Sequence, residues 1–137
     1  METVAEEYRP SDDEPYMNPR QLEYFRHKLE TWRRNLIAES EETLEHLRSE
    51  NWQEPDPNDR ASHESEASLE LRTRDRHRKL IGKIDAALRR IDLGEYGYCE
   101  ETGDPIGLAR LEARPIATLS VEAQEAHESL ERRRWDG

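Results

Sequence analysis

Four positions in the last third of the chain have the spacing of a metal site without its chemistry. Cys99 and Thr102 stand two residues apart, Ser120 and Ala123 stand two apart, and 17 residues separate the pairs. Cysteine at all four would form a ribbon in which four thiolates hold a tetrahedral zinc. Here only Cys99 is a thiol. His127 could add one imidazole, which still falls short of four ligands. No metal is expected at these degenerate positions. One cysteine also leaves no resolving thiol within the chain, so Cys99 reads as a buried small hydrophobe rather than a redox sensor.

A second constellation is electrostatic. Residues 39–59 carry eight acids against Arg48, while residues 69–90 carry eight Lys and Arg against three acids. The break between them, EPDPNDR, holds two prolines and two aspartates. Pro55 and Pro57 cannot donate backbone hydrogen bonds and bias their predecessors away from the helical region. The break therefore reads as a stiff turn that exposes Asp56 and Asp59, with Trp52 folded over it. Capping of the following helix would account for one of those aspartates. No phosphate-cradling glycine loop, nucleophile motif or carboxylate dyad in a pocket is evident, so no enzyme is indicated.

The elements that must position these groups follow from composition and periodicity. Leu, Ile, Val and Phe make up 23 of 137 residues, and the formal net charge is −11. So few apolar residues exclude a thick globular core. They suffice for helices whose apolar side chains lie in narrow stripes. Leu22, Phe25, Leu29, Trp32 and Leu36 recur at steps of three and four, continued by Thr43 and Leu47, which is a coiled-coil seam. Asn18 before Pro19 is a helix start signal. A second arm, free of proline from Ser62 to Leu93, offers one stripe of Leu69, Thr73, Arg76, Leu80, Lys83 and Ala87. Beside it runs another of Ile81, Ile84, Leu88 and Ile91. Each arm of some 30 residues is roughly 45 Å long.

The fold expected is mainly α: a long antiparallel coiled-coil hairpin, a small degenerate zinc-finger-like globular domain and a C-terminal helix. The expected boundaries are an acidic segment over 1–17, packing on or near the globular domain, a hairpin over 18–93 with its tip at 54–61, and a knuckle plus final helix over 94–137. Glycines, prolines and short apolar alternations after Leu93 predict a loop-and-hairpin knuckle. Lacking metal, it must be held by packing of Ile106, Leu108, Leu111, Ile116, Leu119 and Val121, with Ser120 capping the last helix.

Several long segments agree, in order and spacing, with one known family. YMNPRQLEYFRHKLETWRRNL, DPNDRA, SLELRTRDRHRKLIGKI and YGYCEETGDPIGLARLEARPIATL together resemble the DksA/TraR family of bacterial transcription factors, over residues 16 to about 130. One cysteine fits a reducing cytoplasm, no apolar run approaches the length of a bilayer span, and the hairpin reading predicts a monomer; the resemblance implies a protein that binds RNA polymerase rather than a fixed DNA sequence. Its coiled coil would enter the polymerase secondary channel and destabilise open promoter complexes. In the DksA branch it would do so with guanosine tetraphosphate, in the stringent response. By position, Asp56, Asp59 and Ala61 match the family's tip residues near the polymerase active centre. Arg76 and Arg110 match residues that dock on polymerase. Leu80, Lys83 and Arg114 match residues at the nucleotide interface. The chain departs from the family at Thr102, Ser120 and Ala123, and at Gln124, where a lysine often meets the nucleotide. A generic coiled-coil scaffold or dimeriser without polymerase activity is the rival reading.

Overall fold

The computed structural model describes residues 8–49 and 57–136. Four helices follow one another: α1 (Pro19–Ser49), α2 (Pro57–Leu93), α3 (Leu108–Ala113) and α4 (Val121–Asp136). Among the described residues there is no strand. The apolar alternations after Leu93 give one isolated bridge, Tyr98 with Pro105, in place of the expected hairpin. They also give α3, which periodicity did not announce. The chain divides into two compact units, one of residues 1–29 and 86–137, the other of residues 30–85.

Local chemistry explains where the long helices start and stop. Asn18 Oδ1 accepts from the backbone N–H groups of Arg20 and Gln21, at 2.9 and 3.0 Å, the N-cap that the sequence signalled. Pro57 opens α2, a first-turn position whose N–H would be unpaired in any case. Gly94, with φ 76°, closes α2. The Gly94 N–H donates to Ile91 O and the Glu95 N–H to Arg90 O, at 3.1 and 2.8 Å, which is a Schellman ending.

In the unit of residues 30–85 the two helices run antiparallel. Arg33 meets Asp85 at 2.7 Å, Ser40 lies 3.5 Å from His77, and His46 lies 2.7 Å from Glu70. Leu36 and Ile84 are buried. The seam turns polar at Ser40, His77, His46 and Glu70. The phase of α2 differs from one expected stripe. Leu69 is 62% exposed, and Arg76 and Lys83 are exposed. The inward residues are Glu70, Thr73, His77, Leu80 and Ile84, a strict alternation of threes and fours read backward from Ile84.

The other unit buries Phe25, Leu29, Tyr96 and Leu111 almost completely. Ile106 and Ile116 are buried as expected, while Val121 is 45% exposed. Buried Gln21 accepts from the Met17 N–H at 2.8 Å and donates to Ser11 O and the Glu14 carboxylate, at 3.2 and 3.1 Å. Glu112 accepts from Tyr24 Oη and Lys28 Nζ, at 2.6 and 2.7 Å, joining α1 to α3. Tyr16 Oη donates to Gly97 O at 2.7 Å and accepts from the Gly107 N–H at 2.8 Å. Gly97 has φ 93°, and a Cβ there would lie 2.7 Å from Met17 Sδ.

Tyr16→Phe removes the partner of two backbone groups and is expected to cost about 1–3 kcal/mol. Gly97→Ala combines a left-handed backbone with that collision and is expected to cost a similar amount, about 1–3 kcal/mol. Urea unfolding followed by circular dichroism checks both. A change below about 0.5 kcal/mol, ordinary for surface positions, would contradict this account of the Tyr16–Gly97 contact.

Candidate functional site

The expected tip lies partly outside the described residues, which exclude Trp52 and Asp56. Asp59 and Ala61 fall within the first turns of α2, not on a loop as the two prolines suggested. The reason is that Pro57 disrupts a helix only when it stands inside one. At the first helical position its fixed φ is already helical. An acid in that turn suits the positive end of the helix dipole.

Further along α2, Arg76, Leu80 and Lys83 recur at steps of four and three and so share one face. Leu80 is half-buried, while Arg76 and Lys83 are exposed. Among the described residues neither cation has an ion-pair or hydrogen-bond partner. Other cations serve the fold: Arg26 meets Asp92 at 2.6 Å, Arg33 meets Asp85, and Arg90 meets Glu100 at 3.1 Å. The unpaired cations of α2 are thus available to a partner.

In the other unit, Arg110 on α3 is half-buried, and its Nε donates to Leu119 O at 2.9 Å. This residue has a structural bond in addition to any outward role. Arg114, at the end of α3, is exposed. Gln124 is half-buried and its amide lies 3.4 Å from Glu128.

The four ribbon positions do come together. The Thr102 hydroxyl, then the Ser120 backbone N–H, donate to the Cys99 sulfur and lower its pKa from about 9 to about 6. Ser120 Oγ accepts from the Ala123 N–H at 3.2 Å, capping α4 as expected. Cys99 is buried, yet its surroundings are hydrogen-bond donors, so it is not the plain small hydrophobe its type suggested. His127 lies 2.6 Å from the Glu101 carboxylate, which raises its pKa. One thiolate, two hydroxyls and a methyl do not fit a structural zinc, which takes four nitrogen or sulfur ligands. Among the described residues no group of three or more His, Cys, Asp or Glu is placed to hold a metal.

Residues 21–91 match the family model described as DnaK suppressor protein DksA, N-terminal domain. Residues 94–129 match the prokaryotic dksA/traR C4-type zinc finger. A protein of Caulobacter vibrioides named RNA polymerase-binding transcription factor DksA is 65% identical over 126 residues, covering 92% of this chain and 89% of its own. The chain belongs to the DksA family. An Escherichia coli K12 protein of the same name is 46% identical over 128 residues, with coverage of 93% and 85%. The structure of transcription factor DksA2 from Pseudomonas aeruginosa superposes with a TM-score of 0.81 at 42% identity, over 94% of this chain and 95% of that one. In this DksA-family chain the zinc-finger match is one of fold and spacing, because the residues at three ligand positions are not ligands of the expected kind.

Residue types alone did not single out Gln21, Tyr16, Tyr96, Arg90 and Glu112. Two of them adjoin a turn-forming residue, Tyr16 after Pro15 and Tyr96 before Gly97; the others carry no such local signal.

Elemental analysis of protein purified without chelator is expected to find less than 0.1 zinc per chain, and chelator is expected to leave helicity unchanged. One tightly held zinc would refute this donor assignment. The thiolate absorbance of Cys99 is expected to titrate with a midpoint near pH 6, lost in Cys99→Ser. Because the folded-state pKa is depressed, the linked stability is fully present above about pH 9 and is lost as pH falls toward 6. A midpoint at 8 to 9 would contradict the donor cluster.

Proposed function

We propose that this chain is a transcription regulator that binds RNA polymerase, entering the secondary channel with its α1–α2 arm and acting at promoter complexes through the residues around Asp56, Asp59 and Ala61. The observation that carries the reading is the exposed pair Arg76 and Lys83, without a partner among the described residues, in a chain 65% identical to a relative named as polymerase-binding. A protein of net charge −11 is poorly suited to neutralising DNA phosphates on its own. A local cationic face on it instead suits an acidic protein surface. Among the described residues, no helix is long and apolar enough to cross a membrane. In this reading the chain acts as a monomer in the cytoplasm and has no catalytic activity of its own.

Guanosine tetraphosphate is the proposed co-regulator at the polymerase surface. Leu80, Lys83 and Arg114 are the residues proposed for it by their match to the family, and Lys83 and Arg114, each taken by itself, carry the kind of charge that clustered phosphates need. Charge-assisted bonds of this kind are the strong ones. Gln124 offers no such charge, which weakens the response relative to a lysine there.

Run-off transcription from a stable-RNA promoter tests the whole reading. Asp59→Asn is expected to bind polymerase normally but to leave open-complex lifetime unchanged. Arg76→Ala is expected to weaken binding about tenfold, the worth of one charge-assisted bond of about 1.5 kcal/mol. Lys83→Ala and Arg114→Ala are expected to lose only the response to guanosine tetraphosphate. Normal regulation by Asp59→Asn, or a wild-type nucleotide response in Lys83→Ala, overturns the assignment of that residue.

A further inference from the structure

Arg74, Arg78 and Ile81 recur at steps of four and three on α2, as Arg76, Leu80 and Lys83 do. The two series are offset by two residues, which is about 200° around the axis. They therefore stand on different sides of the helix. The Arg76 series belongs to the proposed function; the Arg74 series does not. On its side, within the unit of residues 30–85, a groove of about 250 Å³ runs between α1 and α2. Ile37, Leu44 and Ile81 supply its apolar lining, and Arg74 and Arg78 supply cations against the single acid Glu41. Arg74 Nε is buried and has no hydrogen-bond partner among the described residues. Among the described residues Arg78 has a partner only on its own helix, Asp75 at 3.0 Å.

We infer that this groove is a second docking surface, and that its occupant is an acidic amphipathic helix of the polymerase. The volume lies below the range of small-molecule pockets, roughly 300–1,000 Å³. It suits one or two side chains presented by a helix. A leucine-sized side chain covers Ile37, Leu44 and Ile81. A carboxylate one turn away on the same helix meets Arg74 and Arg78, and gives the buried Nε an acceptor. A nucleic acid would meet the two arginines but leave the apolar lining wet. A second copy of this chain could also bring an acidic helix.

The inference rests on the proposed polymerase binding. Affinity for RNA polymerase is compared for the wild type, Arg74→Ala/Arg78→Ala, Ile81→Gln and Arg76→Ala, with helicity checked for each. A photo-crosslinking residue at Ile37 reports what enters the groove. A loss of tenfold or more in both groove variants, with a crosslink to an acidic helical segment of polymerase, supports the inference. Wild-type affinity in the folded groove variants, while Arg76→Ala still binds weakly, overturns it and leaves the functional reading standing. Crosslinks to a second copy or to DNA also overturn it. If the wild-type chain fails to bind polymerase, the functional reading falls and this inference falls with it.

Discussion

The loop-rich stretch between Leu93 and Val121 cannot leave its backbone groups unpaired, and its surroundings are arranged to meet that requirement. A buried carbonyl or amide without a partner costs on the order of 1–3 kcal/mol. Long side chains supply the partners. Tyr16 bridges Gly97 O and the Gly107 N–H. Tyr96 Oη donates to Pro115 O at 2.8 Å. Arg90 reaches Glu95 O and Tyr98 O, at 3.2 and 2.8 Å, and Arg110 reaches Leu119 O. A four-thiolate zinc would fix the same loops from their centre. Here they are tied from several sides, and the old ligand positions form a hydrogen-bonded cluster around Cys99.

That arrangement uses the aromatic residues twice. Tyr96 and Phe25 pack with ring centroids 5.7 Å apart, and Tyr16 meets Tyr98 edge-on at 5.5 Å. The rings provide apolar burial that the scarce Leu and Ile cannot, while the hydroxyls of Tyr16 and Tyr96 satisfy carbonyls. The apolar-to-polar drift along the α1–α2 seam has a complementary effect. Apolar layers at Leu36 and Ile84 give way to Ser40, His77, His46 and Glu70. Polar pairs of this kind hold helices in register more by geometry than by burial. The outward cations are then free of structural duty.

The cations are therefore divided between two kinds of position, those that meet acids and those that face outward. Cations that face acids across the seam or at its base, such as Arg33 and Arg26, stabilise the fold modestly. On α2, Arg76 and Lys83 meet no acid among the described residues, and Arg78 meets Asp75 on its own helix. In the proposed function the role of Arg76 and Lys83 is contact with another molecule, where desolvation strengthens each charge-assisted bond.

Much of the helical architecture was legible from the chain alone. The Asn18–Pro19 start, the α1 stripe through Phe25, Leu29 and Leu36, and the Ser120 cap all depend on neighbours within a turn or two, so local spacing reports them. The phase of α2 near Leu69, the helical placing of Asp59 and Ala61, and the single bridge where a hairpin was expected were not legible. Each depends on competition between alternatives that are nearly equal locally. Two adjacent stripes on α2 both read as seams, and the packed face draws on both, Thr73 and Leu80 from one and Ile84 from the other; Pro57 can break a helix or begin it. Most dependent on the tertiary structure was the environment of Cys99. The sequence determined that three of four metal ligands were missing. Only the fold decided that Thr102 and Ser120 would turn their donors toward the remaining sulfur, because residues that far apart meet only when loops and helix pack together.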